Sequence, residues 1–453
     1  MDEKSTQSFP VFRTVGAPPP GRLDRVLSVF ADVRAGEAGT ALLLAFAAFL
    51  IFFSYYLIKP IREALVLTEQ TANVAAYAAG AQALLLLAVI PAFAKLASVV
   101  NRQALITWVT LFFASHLVFF YLFGKAGARE AVPFFIWLGI FNTIIPAQFW
   151  AFANDIYSES QGRRLFPIVG AGAILGALAG AASAAVLIAP VGTYELMLVT
   201  AGVVSFTIVL VRVVNRRVGG RAIVHGREEQ QGPIAGAGAF RLIFRERYLL
   251  LIALLVLVLN VVNTNGETLL RKMVVLNAER AGITGADAMH VYIGEFYGQF
   301  QIWMNLFGVF VQVFLVSRVF HYIGVRGALF VLPLIALTGY SAAALAPVLV
   351  LVRAVKIVEN GTDYTLQNTA RQALFLVTTR EAKYKAKAAI DSFFMRGGDV
   401  LAAGVVFAAS EIGFTIAQFA SANVAFTLVW LLVVALIYRE HKRRARMQEP
   451  NAA

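Results

Sequence analysis

FFSYYLIKPIREALVLT, residues 52–68, begins as an apolar helix and then places Lys59, Arg62 and Glu63 within about one helical turn. These charges end an uncharged run that starts at residue 38 and reaches the roughly 20 residues needed to cross a bilayer as a helix. A charge inside a spanning helix costs about 2.5–3.5 kcal/mol on insertion scales, so such side chains face protein or a wet cavity. The stretch therefore predicts a membrane-spanning helix whose charged end does not face lipid.

The composition extends this prediction to the whole chain. Of the 453 residues, 59% are hydrophobic and 14% are charged, and the mean hydropathy is +0.73, which is too apolar for a soluble protein with one buried core. Eight long uncharged runs and four weaker signals predict twelve spans: 38–58, 71–94, 103–124, 131–154, 165–194, 196–211, 248–266, 296–317, 327–344, 347–366, 388–410 and 412–438. We therefore expect an all-α polytopic membrane protein.

The formal net charge of +13 has a topological explanation. If the N-terminus is inside, the tails and even-numbered connections carry 29 of the 39 Lys and Arg residues, and the odd-numbered connections carry 7. Basic residues concentrate on the cytoplasmic side of membrane proteins, so we expect both termini in the cytoplasm and the chain in a bacterial inner membrane. No aromatic-interleaved basic groove is present, and no nucleic-acid partner is expected. The absence of cysteine excludes thiol chemistry.

One long charged connection divides the chain into two halves. Residues 212–247 hold eight arginines and lack hydrophobic periodicity, which is typical of a flexible linker. The predicted organisation is a tail that either carries an interfacial helix or is simply solvated (1–37), a six-helix bundle (38–211), the linker (212–247), a second six-helix bundle (248–438) and a basic tail (439–453). Two six-helix halves indicate a major-facilitator-like transporter whose bundles rock about a central site.

Polar side chains recur at helical spacing in four predicted spans. In the tenth span the intervals are 3, 4, 3 and 4 for Arg353, Lys356, Asn360, Asp363 and Gln367, which share one helix face with Glu359 at its edge. The other stripes are Asn260, Asn263, Glu267 and Arg271 in the seventh span, Tyr292, Glu295 and Gln299 in the eighth, and Tyr55, Lys59 and Arg62 in the first. Such stripes are satisfied by one another or by a hydrophilic substrate.

We therefore predict a substrate-binding set from the stripes and the charges beside them: Tyr55, Lys59, Arg62, Glu63, Asn263, Glu267, Arg271, Glu295, Arg353, Lys356, Glu359, Asn360 and Asp363. The charges near helix ends could instead extend to the membrane interface. For Lys59 and Arg62 we favour binding, because Tyr55 lies one turn deeper on the same face.

Several apparent motifs do not indicate a cofactor, metal or catalytic site. GAGAILG, residues 170–176, resembles a dinucleotide loop, but no strand precedes it, and the spacing of Gly172, Gly176 and Gly180 indicates close helix packing. The five histidines have no metal spacing, and no nucleophile, base and orienting group can be assembled. We therefore expect no enzyme activity, no catalytic residue, no metal and no cofactor.

Two stretches resemble the nucleotide translocases that exchange ATP for ADP in plastids and intracellular bacteria. They are QFWAFANDIYSESQGRRLFPIVGAGA (148–173) and YKAKAAIDSFFMRGGD (384–399), with weaker similarity in NGETLLRK (265–272) and DYTLQN (363–368). All of them lie in the family's order, so the chain resembles a divergent bacterial member. The resemblance implies a monomeric ATP/ADP antiporter that works by alternating access on an anionic, nucleotide-like substrate.

The resemblance also implies roles for particular residues. Ile58-Lys59 and Arg62-Glu63 occupy the positions of the family's charged cluster and would bind the phosphate chain, which suits cations at the mouth of a low-dielectric cavity. Glu267 matches an acidic residue of the family. Where the family usually has two lysines on its tenth helix, this chain has Asn360 and Asp363. The predicted interior set has six cations and seven anions, which is low in positive charge for a nucleotide carrier.

Two other functions stay open at this point. One is a proton-coupled carrier of another polar or amphipathic solute, with Glu359 and Asp363 titrating. The other is a non-transporting membrane scaffold or lipid-handling protein, which would have no polar central cavity. For a carrier we predict an inner gate in the connections between spans 4 and 5 and between spans 10 and 11: Asp155, Glu159, Arg163, Arg164, Lys385, Lys387, Asp391 and Arg396.

Overall fold

The protein is seen in a computed structural model that describes residues 21, 23–24, 33–157, 159–218, 237–378 and 386–448. The first six long helices are α1 (Ala38–Glu69), α2 (Ala72–Val99), α3 (Arg102–Lys125), α4 (Ala131–Ile156), α5 (Glu159–Val191) and α6 (Glu195–Val218). A short helix over Ala237–Arg245 precedes α7 (Arg247–Arg280). The last five are α8 (Ala286–Phe310, then a π turn over Val311–Leu315), α9 (Val316–Leu345), α10 (Leu349–Thr362), α11 (Met395–Glu411) and α12 (Ile416–Gln448).

Two of these helices are extended by irregular turns. α10 continues through a π turn over Asp363–Gln367, an α-helical stretch over Asn368–Ala373 and a 3₁₀ turn over Leu374–Val377. α11 is preceded by Lys387–Ala389 and a π turn over Ile390–Phe394. Within the described residues, eleven helices are long and apolar enough to cross a membrane, and α10, with its interruption, is not among them. The predicted all-α, polytopic class is confirmed.

Several helices are longer than the predicted spans, and on α1 the added charged end has partners inside the protein. The first span was predicted to end at residue 58, but α1 continues to Glu69. The eighth was predicted to begin at residue 296, but α8 begins at Ala286. A charge ends a hydrophobic run in the sequence, whereas a helix continues through it when another helix supplies the counter-charge.

Ion pairs and hydrogen bonds between helix ends identify the two faces of the bundle. On one face, Arg164 Nη2 lies 3.0 Å from Glu37 Oε1 before α1, and Arg444 Nη2 lies 3.3 Å from Glu246 Oε2 before α7. We call this the terminal face. On the opposite, distal face, Glu69 Oε2 accepts a hydrogen bond of 3.0 Å from the Ala131 amide at the start of α4. Successive long helices run in alternating directions between these faces.

Close packing of α5 against α1 holds the first half together. A Cβ on Gly172, Gly176 or Gly180 would overlap the backbone carbonyls of Ala45, Phe49 and Phe53 respectively. These three glycines lie four residues apart and let the two backbones touch, so the packing role predicted for them is confirmed.

The two halves meet near the distal face through small residues and one hydrogen bond. Gly298 of α8 packs on Ala185 of α5, and Gly80 of α2 packs on Ala403 of α11. Asn73 Nδ2 donates a hydrogen bond of 2.8 Å to Ser410 Oγ. These contacts join helices α2 and α5 of the first half to α11 and α8 of the second.

A buried carboxyl lies in the distal connection between α3 and α4. Both oxygens of Glu130 are buried without a hydrogen-bond partner among the described residues. Burial, together with the nearby carboxylate of Glu69, raises the pKa of Glu130 to about 8. Glu130 is therefore mostly protonated at neutral pH.

Gly176 provides a test of the α1–α5 contact. We expect Gly176→Ala to lower the free energy of unfolding by about 1–3 kcal/mol, because the added methyl group overlaps the rigid backbone at Phe49. Gly202→Ala is the matched control, since a Cβ there meets nothing within 4 Å. The measurement is the thermal unfolding midpoint of each detergent-purified variant. Equal midpoints for the two variants would contradict this packing.

Candidate functional site

A polar cavity of ≈ 370 Å³ lies between the two halves. Its walls come from α1, α2, α4, α7, α8, α10 and α11, so both bundles contribute to it. Its volume is within the range of about 300–1,000 Å³ that is typical of small-molecule sites. The scaffold hypothesis predicted no such polar cavity, and the structure contains one.

On the distal side of this cavity, a carboxylate joins two arginines from different halves. Glu63 of α1 has a side chain that is only 3% exposed. Its Oε2 accepts a hydrogen bond of 2.8 Å from Arg271 Nε of α7, and its Oε1 accepts one of 3.1 Å from Arg62 Nε. The Arg62 guanidinium also lies 4.4 Å from the centre of the Phe135 ring. Glu63 is therefore a counter-ion that holds the halves together.

A second buried network surrounds Lys356 of α10, whose side chain is fully buried. Its Nζ donates to Asn263 Oδ1 at 2.8 Å and lies 3.1 Å from Glu359 Oε2 and 3.5 Å from Glu267 Oε1. Asn360 Nδ2 donates to Glu267 Oε1 at 2.8 Å. Lys356 is thus saturated by its neighbours and is not available to a substrate in this conformation.

Asp399 of α11 is a further anion on the cavity wall, partly buried, and it faces α7. Its Oδ1 accepts hydrogen bonds from Asn260 Nδ2 at 2.7 Å and Thr264 Oγ1 at 3.3 Å. Its Oδ2 lies 3.5 Å from Arg396 Nη1. This cluster ties α11 to α7 along the cavity wall.

Two charged groups on the cavity wall are left without such partners. Lys59 Nζ lies 5.7 Å from the centre of the Tyr55 ring and 5.4 Å from the centre of the Tyr56 ring. No carboxylate lies within 4 Å of this Nζ in the part of the chain that the structure describes. Asp363 likewise has no ion pair or hydrogen bond among the described residues. The cavity therefore presents one unpaired cation and one unpaired carboxylate.

The charges that line the cavity balance. Its wall holds four cations and four carboxylates: Lys59, Arg62, Arg271, Arg396, Glu63, Glu267, Asp363 and Asp399. In a low-dielectric site an imbalance would select strongly for a solute of the opposite sign. A balanced wall favours a solute of low net charge or one that carries both signs.

The structure brings most of the predicted binding set together. Nine of its thirteen residues line the cavity: Tyr55, Lys59, Arg62, Glu63, Asn263, Glu267, Arg271, Asn360 and Asp363. Lys356 and Glu359 lie behind the wall, where Tyr340 OH donates to Glu359 Oε2 at 2.5 Å. Arg353 and Glu295 do not line the cavity, and the Arg353 guanidinium lies 5.0 Å from the centre of the Phe296 ring.

The predicted stripe on α8 is on the wrong face. Gln299 is exposed, whereas Tyr297, Phe300 and Gln301 line the cavity. The predicted face was chosen to include the charged residue Glu295. The aromatic residues that line the cavity do not stand out from the apolar sequence around them. Other cavity residues outside the predicted set are Gln82, Asn142 and Tyr364. Gln82 and Asn142 are isolated polar residues in apolar runs, a signal that could have identified them.

The predicted gate residues are only partly described. Asp155 Oδ2 lies 2.9 Å from Arg102 Nη1 on the terminal face, and Arg164 pairs with Glu37. Arg396 lines the central cavity, and Asp391 and Lys387 lie at the start of α11. Lys385 and the side chains of Glu159 and Arg163 fall outside the described residues. The gate stays a prediction.

Solved structures with the same fold are membrane transporters of the major-facilitator type. A mutant of the nucleoside transporter NupG matches with a TM-score of 0.64 at 14% identity, over 88% of this chain and 99% of that one. A POT family transporter in complex with 5-aminolevulinic acid matches with a TM-score of 0.63 at 14% identity, over 92% and 98%. At such low identity the likeness defines the fold alone.

Sequence comparison defines the family. Residues 134–441 match the TLC ATP/ADP transporter family, and the chain belongs to it. ADP,ATP carrier protein 1 of Chlamydia pneumoniae is 23% identical over 355 residues, which is 69% of this chain and 67% of that protein. The protein is therefore a multi-pass membrane transporter.

Removing the Glu63–Arg271 pair tests whether this ion pair holds the two halves together. We expect Glu63→Gln to lower the free energy of unfolding by about 3–5 kcal/mol, because Arg271 is left buried without its counter-ion. The double variant Glu63→Gln/Arg271→Gln removes both charges and should recover part of this loss. Thermal unfolding midpoints in one detergent measure both effects. A single variant as stable as the wild type would show that the pair does not hold the halves together.

Proposed function

We propose that this transporter exchanges phosphorylated organic solutes across the membrane by alternating access, and that ATP and ADP are the first solutes to test. The observation that carries the proposal is Lys59, a cation on the cavity wall without a carboxylate partner among the described residues, next to Arg62. An ammonium and a guanidinium together suit the oxygens of a phosphate group. Membership of the TLC ATP/ADP transporter family supports the same class of solute.

The charge balance of the cavity limits this proposal. ATP carries several negative charges, whereas Arg271 is occupied by Glu63 and Lys356 by Glu359 and Glu267. Binding of a highly charged nucleotide would have to release these cations from their carboxylates. We infer that solutes with one phosphate group, or with a compensating positive charge, bind more readily than ATP.

A second candidate function is a carrier driven by protons. It is favoured by Asp363, a carboxylate on the cavity wall with no ion pair or hydrogen bond in the described part of the chain. An intramembrane carboxylate without a partner is suited to bind a proton in one state of a transport cycle. In this alternative the uptake of the solute depends on a pH gradient rather than on a second solute.

The proposed orientation follows from the distribution of basic residues. Both termini then lie in the cytoplasm, and the terminal face is the cytoplasmic one. The proposed inner gate, at the α4–α5 and α10–α11 connections, would lie on this face and act in a monomer. Its charged residues would pair across the halves when the cavity opens to the distal side.

Neutralising Lys59 tests phosphate binding. We expect Lys59→Gln to weaken the binding of a phosphorylated solute about ten- to a hundredfold, because about 1.5–3 kcal/mol of charge-assisted hydrogen bonding is lost. Arg62→Lys should recover only part of the affinity lost in Arg62→Gln, because an ammonium cannot make the forked contact. The measurement is counterflow of labelled ATP, ADP and AMP in proteoliposomes.

The control for these variants is Lys442→Gln, which removes one positive charge from an exposed position far along α12. It should leave counterflow unchanged. If correctly inserted wild-type protein moves no phosphorylated solute at all, the proposed function is lost. Uptake of another solute that follows an imposed pH gradient would establish the proton-driven alternative.

State-dependent crosslinking tests the gate. The chain has no cysteine, so Asp155→Cys/Lys387→Cys can be made in the native background. We expect the yield of disulfide in proteoliposomes to change when ADP is added, because the two connections separate and approach during transport. A yield that is the same with and without ADP or any other transported solute counts against a gate here.

A further inference from the structure

A second cavity adjoins the first and is mainly apolar, with the amides of Asn305 and Gln312 also on its wall. It has a volume of ≈ 320 Å³ and lies between α1 and α5 of one half and α8 and α10 of the other. Its wall includes Phe52, Ala173, Ala177, Met304 and Gly308. Its volume is again typical of a ligand site. We call it the side cavity.

The side cavity exists because α5 and α8 separate toward the terminal face. Near the distal face the two helices touch, with Gly298 packed on Ala185 and Gly294 on Ile188. Two to three turns further toward the terminal face, residues 173–177 of α5 and 305–312 of α8 line the gap between them. Ile174 on the rim is half exposed. The gap therefore reaches the outer surface of the helical bundle.

The two cavities are adjacent and share one wall residue. Tyr364 of α10 lines both of them, and the neighbouring residues Tyr55 and Tyr56 of α1 line the central and the side cavity respectively. Lys59 Nζ contacts the rings of both Tyr55 and Tyr56. The unpaired cation therefore lies where the polar and the apolar compartments meet.

The unpaired charges of the central cavity indicate which kind of polar group fits there. Six of its eight lining charges have a partner of opposite sign, and the two without one among the described residues are Lys59 and Asp363. A group with one phosphate and one quaternary ammonium would match both of them. Tyr55 and Tyr364 add aromatic faces, which attract quaternary ammonium groups.

We propose that the transporter accepts single-chain amphiphiles with a zwitterionic phosphate head group, the head in the central cavity and the chain in the side cavity. The proposal rests on the proposed phosphate binding at Lys59 and Arg62 and extends it to a solute class. Charge balance favours the head group, and the position of a mainly apolar cavity next to Lys59 and Tyr364 favours the chain.

Binding measurements on protein in lipid nanodiscs test this proposal. The probes are hexylphosphocholine, a short-chain amphiphile, and phosphocholine, which has the same head group without the chain. We expect hexylphosphocholine to bind at least about tenfold more tightly, because its chain is transferred to an apolar cavity. The readout is equilibrium binding of the labelled probes, with the counts bound by protein-free nanodiscs subtracted.

Filling the side cavity separates the chain from the head group. Gly308→Leu places a side chain into this cavity, and a Cβ at Gly308 meets only ordinary contacts at 3.8 Å. We expect it to remove most of the advantage of hexylphosphocholine and to leave phosphocholine binding unchanged. Gly202→Leu is the matched control, because it adds the same side chain at an exposed glycine of α6, and it should behave as wild type.

The outcomes distinguish this inference from the proposed function. Equal affinity for the two probes, or an unchanged advantage in Gly308→Leu, overturns the inference while phosphate binding stands. Tight binding of AMP, without any gain in affinity from an alkyl chain, also overturns the inference and indicates that the solute is a nucleotide. If wild-type protein binds neither phosphocholine nor any nucleotide, both the inference and the proposed phosphate site are lost.

Discussion

A charged side chain within a bilayer must find its counter-charge inside the protein, and the structure is arranged around this constraint. Glu63 lies between Arg62 of its own helix and Arg271 of the other half. Lys356 is buried among Asn263, Glu267 and Glu359. The Glu63–Arg271 pair joins α1 to α7 across the bundle. Charges that alone would make membrane insertion of these helices unfavourable therefore stabilise their association.

The same constraint shapes the solute site. Each cation that has a carboxylate nearby supports the fold and is released only if something replaces that carboxylate. In the proposed function a solute phosphate would be such a replacement for Glu63 as the partner of Arg62 or Arg271. Lys59 has no carboxylate partner among the described residues. The geometry thus separates one unpaired cation from cations that are paired inside the protein.

The sequence predicted the class of fold well and the site only in part. Uncharged runs and the distribution of arginines and lysines predicted the helices and their order, since both signals depend on the bilayer and not on tertiary contacts. Lys59, Arg62 and Glu267 were predicted as cavity residues because strict helical spacing holds along α1 and α7. On α8 the spacing was anchored on Glu295, and the true cavity face runs through Tyr297 and Gln301.

On α10 the pattern failed for a different reason. Lys356 and Glu359 lie behind the cavity wall because they pair with each other and with Asn263 and Tyr340. The spacing of 3 and 4 residues also assumes an uninterrupted α-helix, and a π turn over Asp363–Gln367 changes the phase of the positions that follow it. The residue types of this segment do not predict a π turn, so only the tertiary structure could show it.

Three complete π turns lie in the second half, after α8, after α10 and before α11, and none lies in the described residues of α1 to α6. A π turn carries one extra residue and strains the local ladder of hydrogen bonds, so a helix can bend or change its twist there without breaking. The first half, joined by glycines of α5 against the backbone of α1, has no π turn among its described residues, but proline lies inside α1, α2, α4 and α5. In the second half, α9 alone of the described long helices contains a proline, Pro333. The two halves therefore interrupt their backbone hydrogen bonds in different ways: proline removes a donor in the first, whereas π turns shift the hydrogen-bond register in the second.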